Sequence, residues 1–213
     1  MKRLLTAALA AALLFLGTSA SAQLSVGDGR WSAGGGATFF GIAGSDAGSW
    51  EKTHNFPNSI PGFYFGASLD YAFSTIGGLS VEPGAYIMHY GKPFRFGLGG
   101  DKKAYHANYL SVPLHLKYAF PTGPEFGIAV FTGPRFNLGL GGNMFSAGKT
   151  YPGLMPVDAQ WGFGLAVTIQ EAVVIRAGYD TGLTNALKDN KDLSYEDVIA
   201  HRDTYHVGVS FVF

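Results

Sequence analysis

The chain closes on Tyr205-His206-Val207-Gly208-Val209-Ser210-Phe211-Val212-Phe213, in which a large apolar residue occupies every second position. The positions between them are mostly small or polar. Because successive side chains of a β-strand point to opposite faces, this segment would present one apolar face and one wetter face. The pattern is typical of a transmembrane β-barrel strand, whose apolar face contacts lipid.

The same two-residue period recurs along the chain and predicts eight strands. They lie near 30–42, 60–73, 79–91, 106–120, 125–139, 157–170, 172–183 and 203–213. Long connections at 43–59, 92–105, 140–156 and 184–202 alternate with short ones at 74–78, 121–124 and around 170–171. The sequence therefore predicts an all-β fold, an eight-stranded antiparallel up-and-down transmembrane barrel with short periplasmic turns and four longer extracellular loops.

The first residues have the order of a secretory signal peptide. Lys2 and Arg3 precede an apolar stretch from Leu4 to Leu16, and small residues follow up to Ala22. We predict cleavage after Ala22, which leaves residues 23–213 as the barrel domain. Since the chain has no cysteine, lipidation at a new N-terminal cysteine, disulfides and thiolate metal sites are excluded.

Composition narrows the class of protein further. The formal net charge is zero, 14% of residues are charged and 15% are aromatic. This balance argues against a nucleic-acid partner. Beyond the signal peptide, no apolar run approaches the roughly 18 to 20 residues that a membrane helix needs. A soluble β-sandwich is the alternative, but its loops would have no reason to alternate between long and short.

The fourth predicted strand shows the two faces most clearly. Leu110, Val112, Leu114 and Leu116 share one face, which we expect to contact lipid, and His115 lies on the other. Aromatic residues beside the short turns are expected to form the periplasmic girdle. They are Tyr71, Phe73, Tyr118, Phe120, Phe126, Phe211 and Phe213.

Charged residues of the opposite parity are expected to fill the barrel lumen. These residues are Asp70, Glu82, His115, Lys117, Arg135, Asp158, Arg176, Asp180 and His206, accompanied by Tyr64, Tyr86, Tyr90 and Gln160. Buried charges need partners, because an unpaired charge costs several kcal/mol or more. We therefore expect Arg135, Arg176 and Lys117 to pair with Asp180, Asp158, Glu82 and Asp70. An eight-stranded barrel is only about wide enough for its own side chains, which disfavours a proton or ion path.

The sequence offers no convincing catalytic, cofactor or metal site. His206 and Ser210 share a face but lie four residues apart, roughly 13 Å along a strand, too far for a nucleophile and its base. The same spacing separates Ser111 from His115, and His89 is interpreted as an interfacial polar residue. The acidic loop around Asp189 lacks the glycine and the final glutamate of a calcium loop. We expect no enzyme activity and no cofactor.

Two long loops carry weaker signals. Ser194 followed by Asp197 is typical of a helix N-cap, which predicts a short helix to about Ala200. Trp50, His54 and Phe56 in the first long loop would either contact a partner or a glycan or fold over the barrel mouth. The pattern leaves these two alternatives open.

Several short motifs occur in a characteristic order. They are Tyr109-Leu110-Ser111-Val112-Pro113-Leu114-His115-Leu116-Lys117-Tyr118, then Thr132-Gly133-Pro134-Arg135-Phe136, then Ala177-Gly178-Tyr179, and a final strand ending in aromatic-x-aromatic. In this order the chain resembles the PorT-like outer-membrane β-barrel domain of Bacteroidota, over nearly all of residues 23–213. The terminal phenylalanines Phe211 and Phe213 resemble the signal by which bacterial barrels are handed to their insertion machinery. The resemblance implies a barrel in the outer membrane of a Gram-negative bacterium, and it implies no functional residues.

Two classes of function follow from these observations. The first is a non-enzymatic barrel that acts as a structural, surface-contact or secretion-accessory component. The second is a small porin-like channel for ions or small solutes. The expected partners are outer-membrane lipid, the barrel insertion machinery and a secretion or envelope protein.

Overall fold

The computed structural model describes residues 29–44, 59–73, 76–91, 106–120, 125–146, 153–187 and 200–213. Within these ranges the chain forms eight strands and one 3₁₀ turn, Asn143–Phe145. The strands are β1 Arg30–Ala43, β2 Ile60–Ala72, β3 Leu79–Gly91, β4 His106–Phe120, β5 Phe126–Gly141, β6 Val157–Ile169, β7 Val173–Gly182 and β8 His201–Val212. Strands make up most of the described residues because the two-residue period recurs along the sequence.

The eight strands form a closed barrel in which each strand pairs with its neighbours in chain order, and β8 pairs with β1. Every pair is antiparallel. When cross-strand partners are followed once around the barrel from Arg30, the path returns to β1 at Phe40, ten residues further along. This stagger requires strongly tilted strands, as narrow closed barrels have.

The connections sort by length between the two ends of the barrel. The short turns after β2, β4 and β6 lie at the same end as the start of β1 and the end of β8, and we call this the short-turn end. At the opposite end, which we call the long-loop end, lie the connections after β1, β3, β5 and β7. The β6–β7 turn is tight: Gln170 and Glu171 both have positive φ, and the Ala172 amide donates to the Ile169 carbonyl.

The predicted fold class is confirmed, and the predicted strand boundaries agree with the observed ones to within two residues. The main differences are that β5 continues to Gly141 rather than 139, and that β8 begins at His201 rather than 203. The predicted signal peptide, the predicted helix from Ser194 and the aromatic residues of the first long loop lie outside the described residues.

The hydrogen-bonded ladder is interrupted in one region of the wall. Cross-strand pairing of β3 with β4 stops at Pro83 with Leu114 and resumes at Tyr86 with Ser111. Similar two-residue gaps occur at adjacent positions between β2 and β3 and between β4 and β5. Pro83, Pro113 and Pro134 lie in or beside these gaps, and a proline has no amide hydrogen to donate to the ladder.

Candidate functional site

The barrel lumen holds the charged side chains of the strands. Glu82, His115, Arg135, Asp180 and other charged or polar residues are buried. Several ion pairs join strands that are not neighbours in the sheet, such as β3 with β7 and β5 with β7, so these contacts must cross the interior. All nine residues of the predicted lumen network lie on this inner face, some fully buried and some partly: Asp70, Glu82, His115, Lys117, Arg135, Asp158, Arg176, Asp180 and His206.

The cluster nearest the short-turn end contains two carboxylates and two cations. Lys117 on β4 forms ion pairs with Asp70 on β2 and, at 3.4 Å, with Glu82 on β3. From the far wall, Arg176 Nη2 reaches both oxygens of Glu82, at 2.6 and 2.7 Å. The Arg176 guanidinium also lies 4.9 Å from the centre of the Phe131 ring. Because Asp70 keeps 28% of its side chain exposed, water reaches this cluster from the short-turn end.

The middle of the lumen is organised around Asp180. Its Oδ2 lies 2.9 Å from Arg135 Nη1 and 3.2 Å from His206 Nδ1, and the Asp180 side chain is fully buried. His115 packs on the Phe131 ring at 4.8 Å between centroids. Neither His115 ring nitrogen has a hydrogen-bond partner within the described residues. Arg135 and Asp180 are therefore ion-paired, whereas His115 has no hydrogen-bond partner among the described residues.

A third group lies towards the long-loop end and contains a residue that the sequence analysis missed. Arg202 forms an ion pair with Asp158: its Nη2 donates to Oδ1 at 3.1 Å, and its Nε lies 2.8 Å from Oδ2. Its guanidinium lies 4.1 Å from the centre of the Tyr109 ring. Gln160 donates to the Arg202 carbonyl at 2.7 Å and accepts from Asn137 at 2.9 Å.

Asp158 was expected to pair with one of Arg135, Arg176 and Lys117, and its partner is instead Arg202. The prediction was wrong because it began the last strand at residue 203, which left Arg202 in a loop. Arg202 has the same parity as His206, four residues later. Extending the period-two pattern by one residue would have placed it in the lumen.

Between Arg202 and the long-loop end, the lumen is filled by apolar side chains rather than by charged ones. Phe40, Tyr90 and Tyr109 from the strands meet Met144, Leu154 and Leu187 from the connections, and all are buried. We call the following set the apolar layer: Phe40, Ile42, Ile60, Met88, Tyr90, Ala107, Tyr109, Met144, Leu154, Ala186, Leu187 and Ala200. Backbone hydrogen bonds hold its loop segments together, among them Leu154 to Met144, Met155 to Ala186 and Ala186 to Ala200.

The outer face of the barrel is apolar over most of its height. Phe65, Leu165 and Val207 on three different strands are each about half exposed. Of the predicted girdle, Tyr118, Phe120, Phe126, Phe211 and Phe213 are exposed at the short-turn end, whereas Tyr71 and Phe73 are partly buried. A band of exposed apolar side chains around a closed sheet is the surface that lipid requires.

Polar groups return on the outer face near the long-loop end. The Asp203 carboxylate accepts hydrogen bonds from the Tyr179 hydroxyl at 2.5 Å and from Thr181 at 3.1 Å. His89, interpreted from sequence as an interfacial residue, hydrogen-bonds Asn108 at 2.7 Å and packs on the Phe63 ring. These groups indicate where the apolar band ends.

The lumen does not assemble a recognisable catalytic group from the serines considered above. The Ser111 hydroxyl and both His115 ring nitrogens have no hydrogen-bond partner in the described part of the chain, so they do not bond each other. Among the described residues, no group of three histidines, aspartates or glutamates is placed to hold a metal ion. In the same ranges, no helix is long and apolar enough to cross a membrane.

A closed antiparallel barrel with an apolar outer face and ion-paired charges inside belongs to the class of integral membrane β-barrel proteins. The family described as "Outer membrane protein beta-barrel domain" matches residues 22–188. The chain belongs to this family and is therefore an outer-membrane protein. A comparison with curated proteins gives no match.

Three solved structures are similar at low sequence identity. Neisserial surface protein A is 15% identical, with 88% of this chain and 100% of that chain covered and a TM-score of 0.45. The attachment invasion locus protein Ail of Yersinia pestis, in complex with the heparin analogue sucrose octasulfate, is 12% identical, with 88% and 100% covered and a TM-score of 0.43. The N-terminal β-barrel domain of Pseudomonas aeruginosa OprF is 15% identical, with 89% and 100% covered and a TM-score of 0.44.

Proposed function

We propose that the protein is a non-enzymatic outer-membrane barrel with a filled lumen, which acts through its exposed loops as a structural, surface-contact or secretion-accessory component. The observation that carries this proposal is the apolar layer across the long-loop end, backed by ion-paired charges beneath it. An ion would have to cross both before it passed through the barrel. The lumen therefore works as a core rather than as a pore.

The charges of the lumen support the same proposal. Arg202 is matched by Asp158, Arg135 by Asp180, and Arg176 and Lys117 by Glu82 and Asp70. A permeant ion would have to displace one member of such a pair, and an unpaired buried charge is strongly unfavourable. Arg176 with Glu82 joins opposite walls of the barrel, and the pairs of Arg135 with Asp180 and of Arg202 with Asp158 join strands two apart.

Planar-bilayer recording tests whether the barrel conducts. We expect the purified barrel to give negligible single-channel conductance at low applied voltage, with protein-free detergent as the control. Steady, discrete openings would overturn the filled-lumen proposal. They would favour the second candidate, a small channel for ions or small solutes.

The second candidate has one observation in its favour. At the short-turn end, the side chains of Asp70, Lys117 and Arg176 are 28, 16 and 14% exposed. Polar solutes therefore reach the part of the lumen nearest this end. A channel would then need the loop segments of the apolar layer to move aside. Replacing Met144, Leu154 and Leu187 together by serine tests this point. If the layer is the barrier, the triple variant conducts where the natural chain does not.

We further propose that the chain is exported by a signal peptide cleaved after Ala22, and that it lies within the PorT-like group. The charged, apolar and small-residue order of residues 1–22 supports the first point, and the ordered motifs on β4, β5, β7 and β8 support the second. The N-terminus of the protein isolated from outer membranes should be Gln23. An intact Met1 would contradict cleavage.

The secretion-accessory part of the proposal requires a partner protein. Purification of the tagged chain from native outer membranes in mild detergent tests whether a second protein accompanies it in fixed stoichiometry. A constant partner would make the barrel an assembly or secretion component. A barrel that is always isolated alone would contradict the secretion-accessory role and leave a structural role.

A further inference from the structure

We propose that the middle of the lumen contains a binding site for one small inorganic anion of halide size. A cavity of about 20 Å³ lies there, lined by side chains from six strands. Its lining includes His115 on β4, Arg135 on β5, Arg176 on β7 and His206 on β8. Tyr64 and Ser210 contribute hydroxyl groups to the same cavity.

The lining is rich in hydrogen-bond donors and poor in negative charge. No aspartate or glutamate lines the cavity among the residues that the structure describes. The carboxylates of Asp180 and Glu82 engage the two arginines through their terminal nitrogens. Within the described ranges, Arg135 Nε is buried without a hydrogen-bond partner. A guanidinium nitrogen only donates, so it needs an acceptor that these residues do not supply.

His115 also lacks a hydrogen-bond acceptor. It is only 1% exposed, and both of its ring nitrogens lack a protein partner within the described ranges. In either tautomer one of these nitrogens carries a hydrogen, so a residue that lines the cavity holds a buried donor with no acceptor among the described residues. Leaving a buried donor unsatisfied costs about 1–3 kcal/mol. An anion in the cavity would accept from His115 and from Arg135 together.

The size of the cavity limits the class of anion. About 10–15 Å³ of such volume holds one water molecule, so the cavity accommodates one water or one monatomic anion. Phosphate and sulfate, with five heavy atoms, are too large. A water molecule also needs acceptors for its two hydrogens, whereas a halide only accepts, and both Arg135 Nε and the protonated ring nitrogen of His115 donate. The partly exposed cluster at the short-turn end provides the route of entry.

Bromide replaces chloride and is located by its anomalous X-ray scattering. Crystals of the natural chain grown or soaked in sodium bromide should show an anomalous peak in the cavity, within hydrogen-bond distance of Arg135 and His115. A cavity that holds only a water molecule, with no anomalous signal, would overturn the proposal. This measurement does not depend on whether any variant folds.

A solution measurement tests the role of His115. We expect chloride or bromide to raise the temperature at which half of the folded band is lost on SDS gels, compared with gluconate at equal ionic strength. The rise should be roughly 3–6 °C at about ten times the dissociation constant. His115→Phe should abolish the halide effect, whereas His115→Gln, which keeps a donor, should retain it.

His89→Phe serves as the matched control, because His89 lies on the outer face and away from the cavity. Its halide effect should equal that of the natural chain. An equal halide effect in His115→Phe, or none in the natural chain, would overturn the proposal. These outcomes are independent of conductance, so the anion site and the filled-lumen function succeed or fail separately.

Discussion

At the scale of single residues, the same kind of ion pair has very different energetic weight inside and outside the barrel. Arg30 and Glu171 pair at 3.2 Å with about 60% of each side chain exposed, and such pairs contribute about 0–1 kcal/mol. Arg202 and Asp158 are 2% and 5% exposed. Removing one member of a buried pair leaves an uncompensated charge and costs about 3–5 kcal/mol.

We therefore predict that Asp158→Leu and Arg202→Met each lower the free energy of unfolding by about 3–5 kcal/mol. The double variant should lose much less than the sum of the two, since neither charge is then left alone. Urea unfolding of the barrel in detergent micelles measures all four corners of this cycle. Glu171→Gln is the control and should change stability by less than about 1 kcal/mol. Strictly additive losses would contradict the pairing.

At the scale of strands, closure of the barrel depends on close contact between β1 and β8. A Cβ atom at Gly36 would lie 2.0 Å from the Val207 carbonyl oxygen and 2.4 Å from Gly208 Cα. These are backbone atoms of the strand that completes the barrel, so they cannot move aside without separating β1 from β8. By contrast, a Cβ atom at Gly77 in the β2–β3 turn would meet nothing within 4 Å.

Gly36→Ala should therefore prevent or greatly weaken closure, and Gly77→Ala should not. Folded barrels migrate differently on SDS gels before and after boiling, and this shift measures closure. We expect the shift to be lost or strongly reduced in Gly36→Ala and unchanged in Gly77→Ala. A normal shift in Gly36→Ala would show that β1 and β8 have room to separate locally. Absence of any shift in the natural chain would contradict the barrel itself.

The hydrogen-bonded ladder between strands is interrupted around Pro83, Pro113 and Pro134, and this affects how well the strands there are protected from exchange. Missing cross-strand pairs on three successive strand interfaces leave fewer hydrogen bonds to protect the amides there. We predict faster hydrogen exchange for residues 82–86 and 112–116 than for residues 160–166 and 176–180, where pairing is continuous. Exchange measured by NMR or mass spectrometry in nanodiscs would check this. Equal protection would mean that other groups replace the missing partners.

At the scale of the whole molecule, the two ends of the lumen differ. Charged side chains near the short-turn end are partly exposed, whereas the apolar layer closes the long-loop end. This difference depends on the contact of Met144 and Leu154, from the β5–β6 connection, with Leu187 from the β7–β8 connection. The layer should therefore isolate the lumen from water on that side.

Because the chain has no cysteine, single introduced thiols report accessibility cleanly. Thr38 is fully buried beneath the apolar layer, and Leu183 is 56% exposed near the long-loop end. We predict that a charged, membrane-impermeant thiol reagent added to cells modifies Leu183→Cys at least tenfold faster than Thr38→Cys. Similar rates at the two positions would contradict the seal. Adding Met144→Ser and Leu154→Ser should accelerate modification of Thr38→Cys.

The part of the structure that could be predicted from the sequence is larger for the barrel wall than for the lumen. The facing of the wall residues follows from a local rule. In β4 the apolar residues from Leu110 to Leu116 alternate with inward residues such as His115, so the face of one residue gives the face of every other residue in that strand. The sequence placed the charged residues on the inner face but could not say which cation pairs with which carboxylate. That choice depends on the stagger of the strands around the barrel. Arg202 was missed for a simpler reason, a strand start placed two residues late.

The fold class, the eight strands, the facing of the side chains within the predicted strands and the need for charges to be paired inside all followed from the sequence. These properties follow from a two-residue period and from the cost of burying charge. The folded barrel was needed to show that Arg202 meets Asp158, that His115 has no hydrogen-bond partner within the described residues and that an apolar layer lies at one end. Each of these depends on bringing together residues far apart in the chain, through a ten-residue stagger that no local pattern encodes.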